Sequence, residues 1–176
     1  MSNTSRKHKE DAPRNLRFGI AIISTSRSLR GERDLAVNDI SGDIVEKHLV
    51  QAGHRVLDRS IIPDDEVRIW GWIESKLRDS EIDVLITSGG TGISRSDVTI
   101  ETVKELLEKE LPGFGEIFRM LSFERIGSAA LATRALAGVS RGKPVFCLPG
   151  SPDAVELAMT QLLLPEVGHL VKHIGE

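Results

Sequence analysis

Three clusters of small polar and acidic residues in this chain have types and spacings that can do chemistry. Thr87-Ser88-Gly89-Gly90-Thr91-Gly92 comes directly after a short apolar run. Its glycines let the backbone approach a ligand closely, and their N–H groups can converge on phosphate oxygens. Thr87, Ser88 and Thr91 add hydroxyl donors. The loop lacks the Gly-Lys-Ser/Thr ending of a triphosphate-binding loop and the spacing of a dinucleotide fingerprint. A simple tight turn would use the same glycines. Pro149-Gly150-Ser151-Pro152 follows another apolar run. With Ser151 at the cap and Pro152 in the first turn, free amides are left at the positive end of a helix, which suits either a well-made helix start or an anion site.

Asp64 and Asp97 both lie between an apolar run and a helical pattern. Mg²⁺ is commonly held by one or two carboxylates plus substrate phosphates, so this pair would suffice if the fold brought them to one rim. Each is also explained as a helix cap. Asp39-Ile40-Ser41-Gly42 offers a further carboxylate and hydroxyl with the same two readings. Arg27, Arg30 and Arg95 fall in or beside these loops, and Arg95, next to the glycines, is the best placed to clamp a phosphate. Cys147, between Phe146 and Leu148, reads as a small core residue.

The elements that must position these loops follow from hydrophobic period. Phe18–Ile23 is a short apolar run of the kind that forms a strand buried on both faces, Val56–Ile62 reads as a second strand, Val84–Ile86 as a third that is fully apolar, and Val145–Leu148 as a fourth. Between them come helical patterns. The first is near Ile40–Ala52, with Ile40, Ile44, Val45 and Leu49 on one stripe and Gly53 as its stop. The second begins at Asp64-Asp65-Glu66, with Val67, Trp70, Ile73 and Leu77 in register. Val98–Glu110 is a third, and Phe114–Ala137 reads as two or three helices broken near Gly127. Ser151-Pro152 opens the last. Strand alternating with helix implies parallel pairing and right-handed crossovers, so the expected fold is α/β, a three-layer α/β/α sandwich on a mostly parallel sheet. Ligands of such sheets bind beyond the carboxyl ends of the strands, where all three clusters fall.

The 176 residues suit one domain, residues 16–176, preceded by a polar tail, residues 1–15, without apolar periodicity. The net charge is −3, but the first seventeen residues carry five basic and two acidic side chains; beyond them 18 basic face 24 acidic, a net of −6. That sign argues against a nucleic-acid partner, and no apolar run is long enough to span a membrane. A single cysteine is compatible with a reducing, cytoplasmic setting.

The chain resembles the MoaB/MogA family of molybdenum cofactor biosynthesis proteins from residue 17 onward. The resemblance rests on Asp39-x-Ser41-Gly42, Ile62-Pro63-Asp64-Asp65, Gly89-Gly90-Thr91-Gly92 with Asp97-Val98-Thr99, Pro112-Gly113-Phe114-Gly115-Glu116 and Leu148-Pro149-Gly150-Ser151-Pro152, in that order. Phe118–Glu124 resembles the MoaB branch in particular. The resemblance implies the same α/β sandwich, assembled as a homotrimer or homohexamer. It also implies adenylylation of molybdopterin, in which the terminal phosphate of the pterin attacks the α-phosphate of Mg·ATP and pyrophosphate leaves. On this likeness Asp64 and Asp97 match the acidic residues needed for that step and would hold the Mg²⁺. Thr87–Gly92 with Arg95, Pro149–Ser151, Asp39 and Ser41 match the substrate and phosphate contacts. Ser26 stands where some relatives carry Asp or Asn.

Overall fold

Strand β1, Arg17–Ile23, is apolar on both faces, and in the computed structural model of the chain both faces are covered. The structure describes residues 13–29 and 39–176; Arg30 and the first twelve residues of the expected tail lie outside the described residues. Around β1 one sheet forms from β2 (Arg55–Ile62), β3 (Val84–Ser88), β4 (Lys109–Glu110), β5 (Leu136–Ser140) and β6 (Lys143–Leu148), in the order β2-β1-β3-β6-β5-β4. The first four in that order run parallel, and β5 and β4 close one side antiparallel. The helices are α1 (Ile40–Gln51), α2 (Glu66–Arg78), α3 (Thr99–Leu106), α4 (Pro112–Ile126), α5 (Pro152–Ala158) and α6 (Leu164–Ile174).

Alternation along the strands divides the core. Phe18, Ile20, Ile22, Val84, Ile86, Phe146 and Leu148 face one way and pack with Val45 and Leu49 of α1, Phe118 of α4, Val155 and Leu157 of α5 and Val167 of α6. Ala21, Ile23, Leu85, Val145 and Cys147 face the other way, against Ile69, Ile73 and Leu77 of α2 and Val103 of α3. This is the expected three-layer sandwich, with helices on both faces of a twisted sheet.

Three local expectations are corrected. The pattern assigned to a helix over Val98–Glu110 is helical only over Thr99–Leu106; Lys109–Glu110 pairs with β5 instead. The stretch Phe114–Ala137 is one helix from Pro112 to Ile126 and a 3₁₀ segment Gly127–Ala132, after which Leu136 already belongs to β5. Gly127 does end the helix, at a φ of 63°. The buried stripe of α2 is Ile69, Ile73 and Leu77, not one containing Val67 and Trp70, which are exposed.

At the amino ends of the strands Arg17 locks β1 to β3. Its amide and Nε donate to Asp83 Oδ2 at 2.8 and 3.0 Å, its Nη2 donates to Oδ1 at 2.9 Å, and the Asp83 amide donates back to the Arg17 carbonyl at 2.8 Å. Partial burial works against the charged carboxyl, but the Arg17 hydrogen bonds and the nearby positive charges outweigh it and hold Asp83 below its usual range. A depressed folded-state pKa means that the unfolded chain binds the proton first. The contribution of Asp83 is therefore complete above its ordinary value of 3.8 and is lost as the pH falls below it. Urea unfolding should show Asp83→Asn to be less stable than the parent at pH 6, with the difference shrinking toward pH 3.

Candidate active site

The chain order β2-β1-β3 reverses direction at β1, and the crevice that opens where it does so is the cleft of this fold. Its volume is about 700 Å³, and its walls come from the ends of β1 and β3 and the loops beyond them. Gly89 and Gly90 follow one another at φ values of 109° and 61°, which side chains rarely adopt. A β-carbon on Gly89 would collide with the Ile23 carbonyl, and one on Gly90 with Thr99 Oγ1. The Gly89 amide donates to the Leu148 carbonyl at 3.0 Å, and Gly150 lies 3.2 Å from the Gly89 Cα when measured from its own β-position. The ends of β1, β3 and β6 thus meet through glycine backbone.

Hydroxyls fasten the two glycine-bearing loops together. Ser88 Oγ donates to the Pro149 carbonyl at 3.0 Å, and Ser41 Oγ, from the first turn of α1, donates to the Gly150 carbonyl at 2.8 Å. Both serines therefore spend their protons inside the protein and offer lone pairs to the cleft. Thr91 lines the cleft, whereas Thr87 is fully buried beneath it, opposite Cys147 on β6. Burial pushes the Cys147 thiol up to about 12, so it is a core residue without nucleophilic character.

Asp64 and Asp97 stand on the rim of this one cleft, and neither caps the helix that follows it. The cap of α2 is Asp65, whose side chain accepts from the Arg68 amide at 2.9 Å; the residue at the cap of α3 is Val98. Asp64 Oδ2 accepts from the amide and hydroxyl of Thr25 at 2.8 and 2.9 Å, and the Thr25 hydroxyl accepts in turn from the Asp64 amide. Asp64 Oδ1 has no donor among the described residues and lies 3.0 Å from where Gly90 would carry a β-carbon. Asp97 Oδ2 accepts from the Ser94 amide at 2.8 Å and hydroxyl at 2.6 Å. The Ser94 hydroxyl, above all, holds the Asp97 carboxyl below its usual range; burial opposes it, while the amides of Ser94 and Gly92 and the charge of Arg134 add to it. The two carboxylates thus flank the glycine loop, each anchored through one oxygen.

The other candidates are placed less directly. Asp39 is buried away from the cleft at the cap of α1, accepting from the Gly42 amide at 3.0 Å. Arg59 of β2 donates to it at 2.6 Å and Arg27 at 3.2 Å, so it neutralises arginines instead of meeting a ligand. Arg27 itself lines the cleft, tethered by that bond. Arg95 is exposed and outside the cleft lining. Pro149 and Ser151 line a second cavity of about 330 Å³, which adjoins the first at Thr91, Gly92 and Gly150. Among the described residues, no group of three or more His, Cys, Asp or Glu could hold a metal by itself. Thr25, Ser94 and Arg134 were not evident from the sequence: their partners are side chains or carbonyls that only the fold brings near, apart from the local Ser94–Asp97 turn, whose Ser-x-x-Asp spacing was the one readable sign.

These features define an α/β protein with a polar cleft at its switch point, lined by glycine-loop backbone and two anchored carboxylates. The chain belongs to the family described as "probable molybdopterin binding domain", whose pattern matches residues 21–169. It is 42% identical over 169 residues to "molybdenum cofactor biosynthesis protein B" of Halalkalibacterium halodurans, covering 96% of this chain and 95% of that one. It is 40% identical to the "molybdopterin adenylyltransferase" of Pyrococcus furiosus over 174 residues, covering 97% and 98%. A crystal structure of a molybdenum cofactor biosynthesis protein B superposes with a TM-score of 0.86 at 43% identity, covering 94% of this chain and 99% of that one.

The capping geometry has a direct consequence for stability. Asp65→Ala should cost about 1 kcal/mol, the usual cost of losing a helix cap. Asp64→Asn, which leaves the α2 cap intact and keeps an acceptor oxygen for Thr25, should melt close to the parent. Thermal unfolding of the two variants side by side checks the assignment.

Proposed function

We propose that the protein transfers AMP from Mg·ATP to the terminal phosphate of molybdopterin, releasing pyrophosphate. The observation that carries this reading is the pair Asp64 and Asp97, brought to one rim, not used to cap the helices that follow them and fastened through one oxygen each. The name and 40% identity of the Pyrococcus furiosus relative support it. A phosphate monoester is anionic at neutral pH and needs no general base. The described cleft lining accordingly contains serine, threonine, aspartate and arginine but no histidine or lysine. What the reaction demands is alignment of two polyanions and neutralisation of the leaving pyrophosphate.

The residues fit the metal. Asp64 Oδ1 is open, and a second carboxylate stands across the glycine loop, the number that Mg²⁺ uses when phosphates complete its shell. Bound there, Mg²⁺ would supply charge neutralisation at the phosphates. Glycine-loop amides and Arg27 would hold the phosphate oxygens, and the lone pairs of Ser41 and Ser88 would fix bound water or donors of the pterin. The cytoplasm, with a supply of ATP, is the setting this reading requires.

The same reading includes assembly as a homotrimer or homohexamer. Ile117, Met120, Phe123 and Ile126 of α4 are 45%, 56%, 61% and 56% exposed on the one chain, an apolar helix face that a second copy would cover. Sedimentation at micromolar concentration should show an oligomer, and a monomer would contradict it.

The decisive experiment incubates purified protein with molybdopterin, ATP and Mg²⁺ and follows adenylylated pterin and pyrophosphate. Asp64→Asn and Asp97→Asn should fold, bind molybdopterin and lose turnover on the order of 100-fold, the scale of removing one group that acts in the transition state. Excess Mg²⁺ should restore part of the loss. Full activity in both variants would remove the carboxylates from the mechanism, and tight pterin binding without product would make the protein a carrier.

A further inference from the structure

Arg134 sits between the 3₁₀ segment and β5, and its side chain crosses to the glycine loop, 43 residues earlier in the chain. Nε donates to the Thr91 carbonyl at 2.9 Å and Nη2 to the Gly92 carbonyl at 2.6 Å. The far side of the guanidinium grips Glu101 of α3, with Nη1 2.5 Å from Oε1 and Nη2 3.3 Å from Oε2. Arg134 therefore joins α3, the loop and the start of β5 through one rigid plane. These bonds use four of the five N–H donors a guanidinium has, which leaves little of it for a ligand.

The consequence lies in the peptide planes. In a trans peptide the carbonyl and the following N–H point in opposite directions. Holding the Thr91 carbonyl toward Arg134 turns the Gly92 amide away from it, and the Gly92 carbonyl is held by the same guanidinium. Gly92 is confined from the other side as well: a β-carbon there would stand 2.6 Å from Asp97 Oδ2. Arg134, by its hydrogen bonds, and Asp97, by its close approach, thus both confine Gly92. An ammonium group carries charge but not the planar fork that engages two carbonyls and a carboxylate together.

We propose that Arg134 is the positioning residue of the glycine loop: it fixes the peptide planes at Thr91 and Gly92, and through the close approach of Gly92 to Asp97 Oδ2 the Asp97 carboxylate, without touching a reacting atom. Glu101 holds the guanidinium in place for this task. The proposal rests on the AMP-transfer reading for its kinetic consequence, though not for its geometry.

The test compares Arg134→Lys, Arg134→Ala and Glu101→Gln with the parent in two measurements. Steady-state transfer from Mg·ATP to molybdopterin should show kcat reduced about 100-fold in both Arg134 variants, the cost of misplacing a group by roughly 1 Å. KM for ATP should change little, and Glu101→Gln should show a smaller loss in the same direction. Amide hydrogen exchange at Gly92 and Ile93 should accelerate roughly tenfold or more in Arg134→Lys, the factor that one charged hydrogen bond represents, with exchange in β1 and β3 unchanged. Near-parental kcat in Arg134→Lys, or a raised KM at unchanged kcat in Arg134→Ala, would make Arg134 a charge or a direct ligand and overturn the proposal. Unchanged exchange at the loop would overturn it too. If the parent itself transfers no AMP, the reading of the site fails, and the exchange comparison alone decides the role of Arg134.

Discussion

The Ile23 carbonyl, the Gly89 Cα and Gly150 come together at the ends of three parallel strands with no room for a β-carbon at Gly89. Everything at the site depends on that approach. Because Gly89 and Gly90 take positive φ, the chain leaving β3 turns across the sheet end instead of continuing into a helix, and its amides and carbonyls become the floor of the cleft. Because the second loop lies directly upon Gly89, two serine hydroxyls can tie it down by donating to its carbonyls. A side chain at Gly89 would part β1 from β3, open the switch point and release both loops.

Upon this floor the carboxylates are held by neighbours of modest chemistry. Asp64 depends on Thr25, in the single helical turn Thr25–Ser28 after β1, and Asp97 on Ser94, within its own loop. A hydroxyl that donates to one carboxylate oxygen fixes the direction of the other without neutralising it. A lysine or arginine in the same place would neutralise the carboxylate and compete with any cation. The contrast is Asp39, gripped by Arg59 and Arg27 and buried, whose charge is wholly used in holding α1 to β2. Three aspartates at strand-to-helix junctions thus serve two purposes, and their partners decide which.

Three of the parallel strands, β1, β3 and β6, were legible because each is buried on both faces and reads as an apolar run, whereas β2, on the border of the sheet, interrupts its apolar residues with Asp58, Arg59 and Ser60. The glycine loops were legible for a related reason, since the order strand, loop, helix places them at the carboxyl edge. What escaped notice follows equally physical lines. Strand β5 contains Gly138, where a β-carbon would meet Leu107 and the Lys109 carbonyl, and small residues with no side chain to pack carry no period. Strand β4 is too short to show any pattern. Pairing Asp65, not Asp64, with the start of α2 needed the backbone geometry, because both lie within two residues of the helix. Arg134 offers nothing to a sequence reading: its partners in the glycine loop are carbonyls, which every residue possesses, and Glu101 lies 33 residues away.

The two borders of the sheet have a meaning beyond the site. Strand β4 is only Lys109 and Glu110, both exposed, and on the opposite border β2 presents Arg55, Asp58 and Arg59 among its eight residues. A foreign chain seeking to extend the sheet at β4 would find two residues of backbone and two charges, too little for a stable ladder. At β2 it would have to strip water from ion pairs such as Lys76 with Asp58 and Arg59 with Asp43 and Glu46. Among the described residues both borders of the sheet therefore resist amyloid-like growth, one by its shortness and the other by its charge.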